Sequence, residues 1–226
     1  MEHSPATVVP EGMLWRVARN GQGDRFSRIS AVEADGTGGN RFDVPGGGVL
    51  YCGSSKIACY FETLARFRVA TPGGALNPAA LAASKDSQFM QPGAIPRQWR
   101  EERRVFRIDL EDPLPFIDIE SEETRAYLAK TIPQTLARHD AQQLDVSDVR
   151  GKDRLLTRAL AQHFFVEIAE NGLPRYSGIR YMSRHGNHEC WAVFEGTPLA
   201  INSMEPVELH DEDIREVSSL WGLTIH

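Results

Sequence analysis

Over some twenty residues following Gly48 the hydrophobic period changes from that of a strand to that of a helix. Gly48-Val-Leu-Tyr-Cys-Gly53 is a short apolar run closed by glycine, which reads as a core strand. Ser54-Ser55 follows and can cap a helix, because a serine hydroxyl accepts the orphan N–H groups of a first turn. Ile57, Phe61, Leu64 and Ala65 then recur at helical spacing, so a helix over about Lys56–Val69 with one buried stripe is expected. A core strand that feeds directly into an amphipathic helix points to an α/β architecture.

The remaining segments extend that pattern. Residues 1–12 read as a loose leader, and Met13-Leu-Trp-Arg-Val-Ala18 as a first strand with Arg16 in its middle. The stretch from Asn20 to Gly48, rich in Gly, Asp and Ser, reads as irregular. Residues 71–100 hold four prolines and three glycines, which predicts a long surface loop near a site. Arg103–Leu110 alternates as a strand, while Glu120–Ala137 and Arg154–Asn171 read as helices, the second ended by Gly172. Strands are expected at Gly178–Met182, Glu189–Glu195, near Val207–His210 and near Val217–Thr224. No repeat or linker divides the chain, so residues 1–226 are read as one domain.

Composition narrows the function classes. With 41% hydrophobic and 25% charged residues, and no apolar stretch of about eighteen, the chain has no membrane-span pattern. The N-terminus lacks the basic and apolar regions of a signal peptide, and a cytoplasmic location is expected. Cys52, Cys59 and Cys190 are odd in number and form no CxxC pair, so neither a disulfide framework nor a metal site is expected. His185-Gly-Asn-His188 is read as a turn between strands rather than a ligand pair. A net charge of −6 argues against direct nucleic-acid binding, yet leaves room for a local arginine pocket that takes a small anion. The triplet Gly46–Gly48 lacks a following Lys-Ser/Thr, and no GxGxxG follows a strand, so a bound dinucleotide would be substrate rather than cofactor.

Three separated segments carry the specific signal: Asn40-Arg41-Phe42-Asp43-Val-Pro45, Leu50-Tyr51-Cys-Gly53 leading to Phe61-Glu62-Thr63, and Gly178-Ile-Arg-Tyr181-Met-Ser183. In this order they resemble the RES domain, a family named for an Arg, a Glu and a Ser, here matched by Arg41, Glu62 and Ser183. Many members have Gly-Gly-Arg-Trp-Asn where this chain has Gly39-Asn-Arg-Phe-Asp43, which leaves the role of Asp43 open. The resemblance implies an ADP-ribosyltransferase-like fold with mixed, mainly antiparallel small sheets flanked by helices. It also implies a toxin that cleaves the nicotinamide–ribose bond of NAD, with water or inorganic phosphate as acceptor and no further cofactor. Its partner would be an Xre-type helix-turn-helix antitoxin, or an immunity protein if the chain is an effector delivered into rival cells. Protein ADP-ribosylation and a non-catalytic binding module stay open beside that reading.

The chemistry can be examined residue by residue. Nicotinamide leaves as a neutral molecule from a positively charged state, so no general acid is needed; the ribosyl cation that develops needs a nearby anion. Glu62 could supply it, although a glutamate four residues before Arg66 is equally the pattern of a solvated helical pair. Arg41 could grip the pyrophosphate as a guanidinium fork, or be a loop arginine. Arg16 could bind the same anion, or face water from a sheet edge. Tyr51 could cover the nicotinamide, or be a core tyrosine. Tyr181 and Ser183 share a strand face, which puts Tyr181 among the candidate NAD-binding residues and lets Ser183 orient the site or close a turn.

Overall fold

The computed structural model describes residues 4–34, 36, 38–68 and 93–226. The chain is a mixed α/β structure built on a curled, mostly antiparallel sheet. Its strands are β1 (Thr7–Val8), β2 (Leu14–Arg19), β3 (Ser27–Arg28), β4 (Gly48–Gly53), β6 (Arg103–Leu110), β7 (Phe116–Asp118), β8 (Gly178–Met182), β9 (Glu189–Phe194) and β10 (Leu199–Pro206). They lie in the order β1-β7-β8-β9-β4-β2-β6-β10, with β3 added beside β4. Among the described residues of this sheet β7 and β8 are the one parallel strand pair. A second, two-stranded piece pairs β5 (Ala94–Ile95) with β11 (Thr224–Ile225), also in parallel.

Helices cover the sheet in two groups. The α1 helix (Lys56–Leu64) starts where Ser55 Oγ accepts from the Ala58 N–H. It packs beside α7 (Glu212–Trp221), and α2 (Arg97–Glu101) completes that side. Here Tyr60, Phe61 and Leu64 are buried with Trp99, Ile214 and Val217. Elsewhere α3 (Glu122–Thr131), α4 (Pro133–Arg138), α5 (Val146–Arg150) and α6 (Arg154–Phe165) bring Leu128, Leu136, Val149, Leu160 and Phe164 against Phe42, Val49, Ile179 and Ala192. Strand β4 is buried along nearly its whole length, as a run apolar on both faces requires.

Several expected boundaries move, each for an identifiable reason. Within the stretch read as a leader, Thr7–Val8 pairs with Phe116–Ile117, and the Ala6 N–H donates to Thr124 Oγ1, so these residues extend the sheet. The helix expected over Glu120–Ala137 breaks into α3 and α4 at Pro133, which lacks an N–H and disfavours helical backbone at Ile132. The next helix stops at Phe165, and Gly172 serves a later turn at φ +79° instead of ending it. Around Val217 the chain is helical, not extended: Asp211 caps α7, Ile214 and Val217 point inward one turn apart, and Gly222 ends it in the left-handed region. The strand expected at Val207–His210 lies earlier as β10, an edge strand too exposed to carry an apolar signal. Most of the loop expected at 71–100 lies outside the described residues, while its end forms β5 and α2.

One glycine is fixed by close approach. Gly178 sits at φ +154° where β8 passes between β7 and β9, and a Cβ there would lie 2.1 Å from the Ala192 carbonyl oxygen and 2.7 Å from Phe116. Both neighbours are buried, so neither can move aside cheaply. Gly178→Ala is therefore expected to lower unfolding free energy by about 2 kcal/mol or more, read by chemical denaturation.

Candidate active site

The loop carrying Arg41 is held by groups the chain buries for that purpose. Asp43 is fully buried; its Oδ1 accepts the Tyr51 hydroxyl at 2.8 Å and its Oδ2 the Asn40 N–H at 2.6 Å. From α6, Thr157 Oγ1 donates to the Arg41 carbonyl at 2.6 Å, and Arg158 Nη1 donates to the Gly36 carbonyl at 2.7 Å. Buried polar groups are expensive unless paired, so these bonds fix the loop in one arrangement. Asp43 is thus a loop fastener here. Thr157 and Arg158 escape a reading by pattern, because a helix sequence does not say which polar side chain will be buried.

So anchored, Arg41 is almost completely buried. Its Nη1 donates to the Val149 carbonyl and its Nη2 to the Met182 carbonyl, each at 3.1 Å, and its guanidinium lies 4.8 Å from the centre of the Tyr181 ring. Among the described residues no carboxylate is ion-paired with it, so an incoming anion would meet an uncompensated charge. Tyr51 and Tyr181 flank the same space. Burial pushes both phenols well above their ordinary pKa, helped for Tyr51 by Asp43, so both remain protonated donors at neutral pH.

These residues line a cavity of about 520 Å³. It opens where β2 and β4 part: the two strands are in register only at Trp15 and Gly53. The Tyr51 carbonyl beyond that point takes its hydrogen bond from Arg16 Nη1 at 2.8 Å, and Arg16 Nη2 donates to the Arg25 carbonyl at 3.1 Å. Arg16 Nε is buried without a partner, and burial lowers the pKa of this guanidinium, although an arginine remains charged. Arg16 accordingly faces the cavity rather than bulk water.

Glu62 projects from α1 into the same cavity, half-buried, and its Oε1 is buried without a hydrogen-bond partner. It is not ion-paired with Arg66, which lines the cavity independently. Arg154, Arg184 and His185 also line it, so that among the described residues five arginines and one carboxylate face the cavity in a chain whose net charge is −6. The three cysteines also reach it but are inert: burial pushes the Cys52 thiol up to about 12 and raises Cys59 and Cys190 as well. Ser183 does not line the cavity. It is buried, accepts the His185 N–H on Oγ at 3.0 Å, and donates its own N–H to the His188 carbonyl at 2.8 Å. Its part is to close the turn that presents Arg184 and His185.

The family model described as RES domain matches residues 13–215. The chain belongs to the RES domain family. A solved structure described as the M.tuberculosis MbcT-MbcA toxin-antitoxin complex is also similar, at 15% identity and a TM-score of 0.47, over 95% of this chain and 91% of that one. Comparison with curated proteins finds no match. In this RES domain, the tertiary structure brings Arg16, Arg41, Tyr51, Glu62 and Tyr181 to one cavity and leaves Ser183 behind its wall. The sequence reading missed Arg66, Arg154, Arg184 and His185, whose exposed-looking contexts hold no signal of a shared cavity.

Removing the loop fastener should be costly. Asp43→Ala leaves the Tyr51 hydroxyl and the Asn40 N–H without their acceptor, and is expected to destabilise the fold by about 2–4 kcal/mol in denaturant titration.

Proposed function

We propose that this RES domain degrades NAD by cleaving the nicotinamide–ribose bond. The observation that carries the reading is the Glu62 carboxylate, with one oxygen buried and unpartnered, facing a cavity ringed by five arginines. A dinucleotide offers what such a cavity lacks: a pyrophosphate for the guanidinium groups and a sugar that becomes cationic as its base leaves. Arg16 and Arg41 hold the phosphates, while the rings of Tyr51 and Tyr181 supply aromatic surface for the nicotinamide end. Glu62 then stabilises the ribosyl cation, a contact that strengthens as charge develops and so favours the transition state over the bound substrate.

The acceptor is water or inorganic phosphate, and NAD is substrate rather than resident cofactor. Family membership supports a toxin acting in the cytoplasm and held by an antitoxin of the Xre type. Among the described residues no helix is long and apolar enough to cross a membrane.

Purified protein freed of inhibitor and incubated with NAD should release nicotinamide, in buffer with or without phosphate. Glu62→Gln is expected to lower kcat by about 100-fold or more, while Arg16→Gln acts mainly on KM. Absence of release from folded protein in both buffers overturns the reading. Label from NAD appearing on an added acceptor protein, without free ADP-ribose, would point to protein modification instead.

A further inference from the structure

A water molecule that captures a ribosyl cation brings a proton that must leave as the bond forms, and that proton needs somewhere to go. The cavity wall narrows the choice among the described residues. Its arginines are already protonated, and its tyrosines and cysteines hold their protons because burial raises their pKa values. Glu62, in the proposed reaction, is occupied with the developing cation. His185 is the remaining group able to accept a proton near neutral pH.

Its placement is built rather than incidental. Ser183 Oγ accepts the His185 N–H at 3.0 Å, and the turn closes where the Ser183 N–H meets the His188 carbonyl at 2.8 Å. The His188 ring stacks on Phe61 at 4.1 Å, tying the turn to the helical residue next to Glu62. The His185 ring meets Trp221 of α7 edge-on at 5.9 Å. Charged groups facing it are Glu62 from α1, Arg184 beside it, Arg68 beyond α1, and Arg41 from its loop. Burial, the largest effect, holds its pKa below the ordinary value against the opposing pull of Glu62, so the ring is neutral at pH 7.

We propose that His185 is the proton acceptor for an attacking water, and that Ser183 is the positioning residue that presents it. The inference rests on the NAD-cleaving reading. In the step, the ribosyl carbon–nitrogen bond breaks with its electron pair leaving on nicotinamide. The oxygen of water bonds to that carbon, and one water proton passes to the imidazole, which later releases it to solvent. Inorganic phosphate attacks through an oxygen that already bears negative charge and has no proton to shed, so the role assigned to His185 belongs to the reaction with water.

The test follows kcat and KM for nicotinamide release against pH in phosphate-free buffer, where water is the acceptor, for wild type, His185→Gln and His185→Ala. Wild type should lose kcat on acidification through a limb below about pH 6.5, as His185 becomes protonated. The variants should lose that limb and about 100-fold or more in kcat, with KM little changed. Azide attacks without a proton to shed, so it should restore turnover to either His185 variant as the ribosyl azide forms, but not to Glu62→Gln. A variant with wild-type kcat and an unchanged acid limb overturns the proposal, as does a kcat loss that azide does not relieve. Release by the wild type only when phosphate is present also overturns it, whereas failure to release nicotinamide in either buffer removes the NAD reading itself.

Discussion

The parting of β2 from β4 is the constraint on which the site depends. Neighbouring strands in a sheet satisfy each other's backbone groups, and two strands that separate leave carbonyls that must find other donors. Here Arg16 supplies the donor to the Tyr51 carbonyl, so a charged side chain replaces part of a ladder. That substitution opens a cavity beside the buried core and puts a guanidinium in its wall. The strands on either side remain firmly paired, β2 to β6 and β4 to β9, so the opening is held by rigid neighbours.

Around that opening, buried polar groups do two different things. Asp43, Thr157 and Arg158 spend their hydrogen bonds on the backbone of one loop and on Tyr51, and thereby hold Arg41 against Tyr181. Glu62 has a buried oxygen with no hydrogen-bond partner among the described residues, in a wall to which those residues contribute five arginines and no second carboxylate. Satisfied groups give the loop its shape, while the unpartnered carboxylate oxygen stays available on the cavity wall. The excess of positive charge is local: among the described residues five arginines and one carboxylate line the cavity of a chain that is acidic as a whole.

Much of this was legible from residue order. The alternation of Arg103–Leu110 and the stripe of Ile57, Phe61 and Leu64 report the environment of each residue directly, because burial follows a fixed period in strand and helix. The same logic takes Val217–Thr224 for one strand, where α7 holds a short helical stripe of Ile214 and Val217 and Thr224 alone enters β11, and it overlooks β10, whose edge position removes the apolar signal. Pro133 was visible, yet the break it makes was not drawn, since a proline can also open a helix.

By itself the sequence determined the α/β pattern, the family, and Arg41 and Glu62 as the residues to watch, because periodicity and motif order are properties of the chain. Only the tertiary structure decided that Arg41 is anchored on Val149 and Met182, that Asp43 is a fastener, and that Ser183 stands behind the cavity while His185 faces it. Those outcomes depend on which polar atoms are left without partners once strands and helices meet. Residues more than a hundred positions apart, such as Arg41 and Met182, supply those partners, and no local pattern encodes such a meeting.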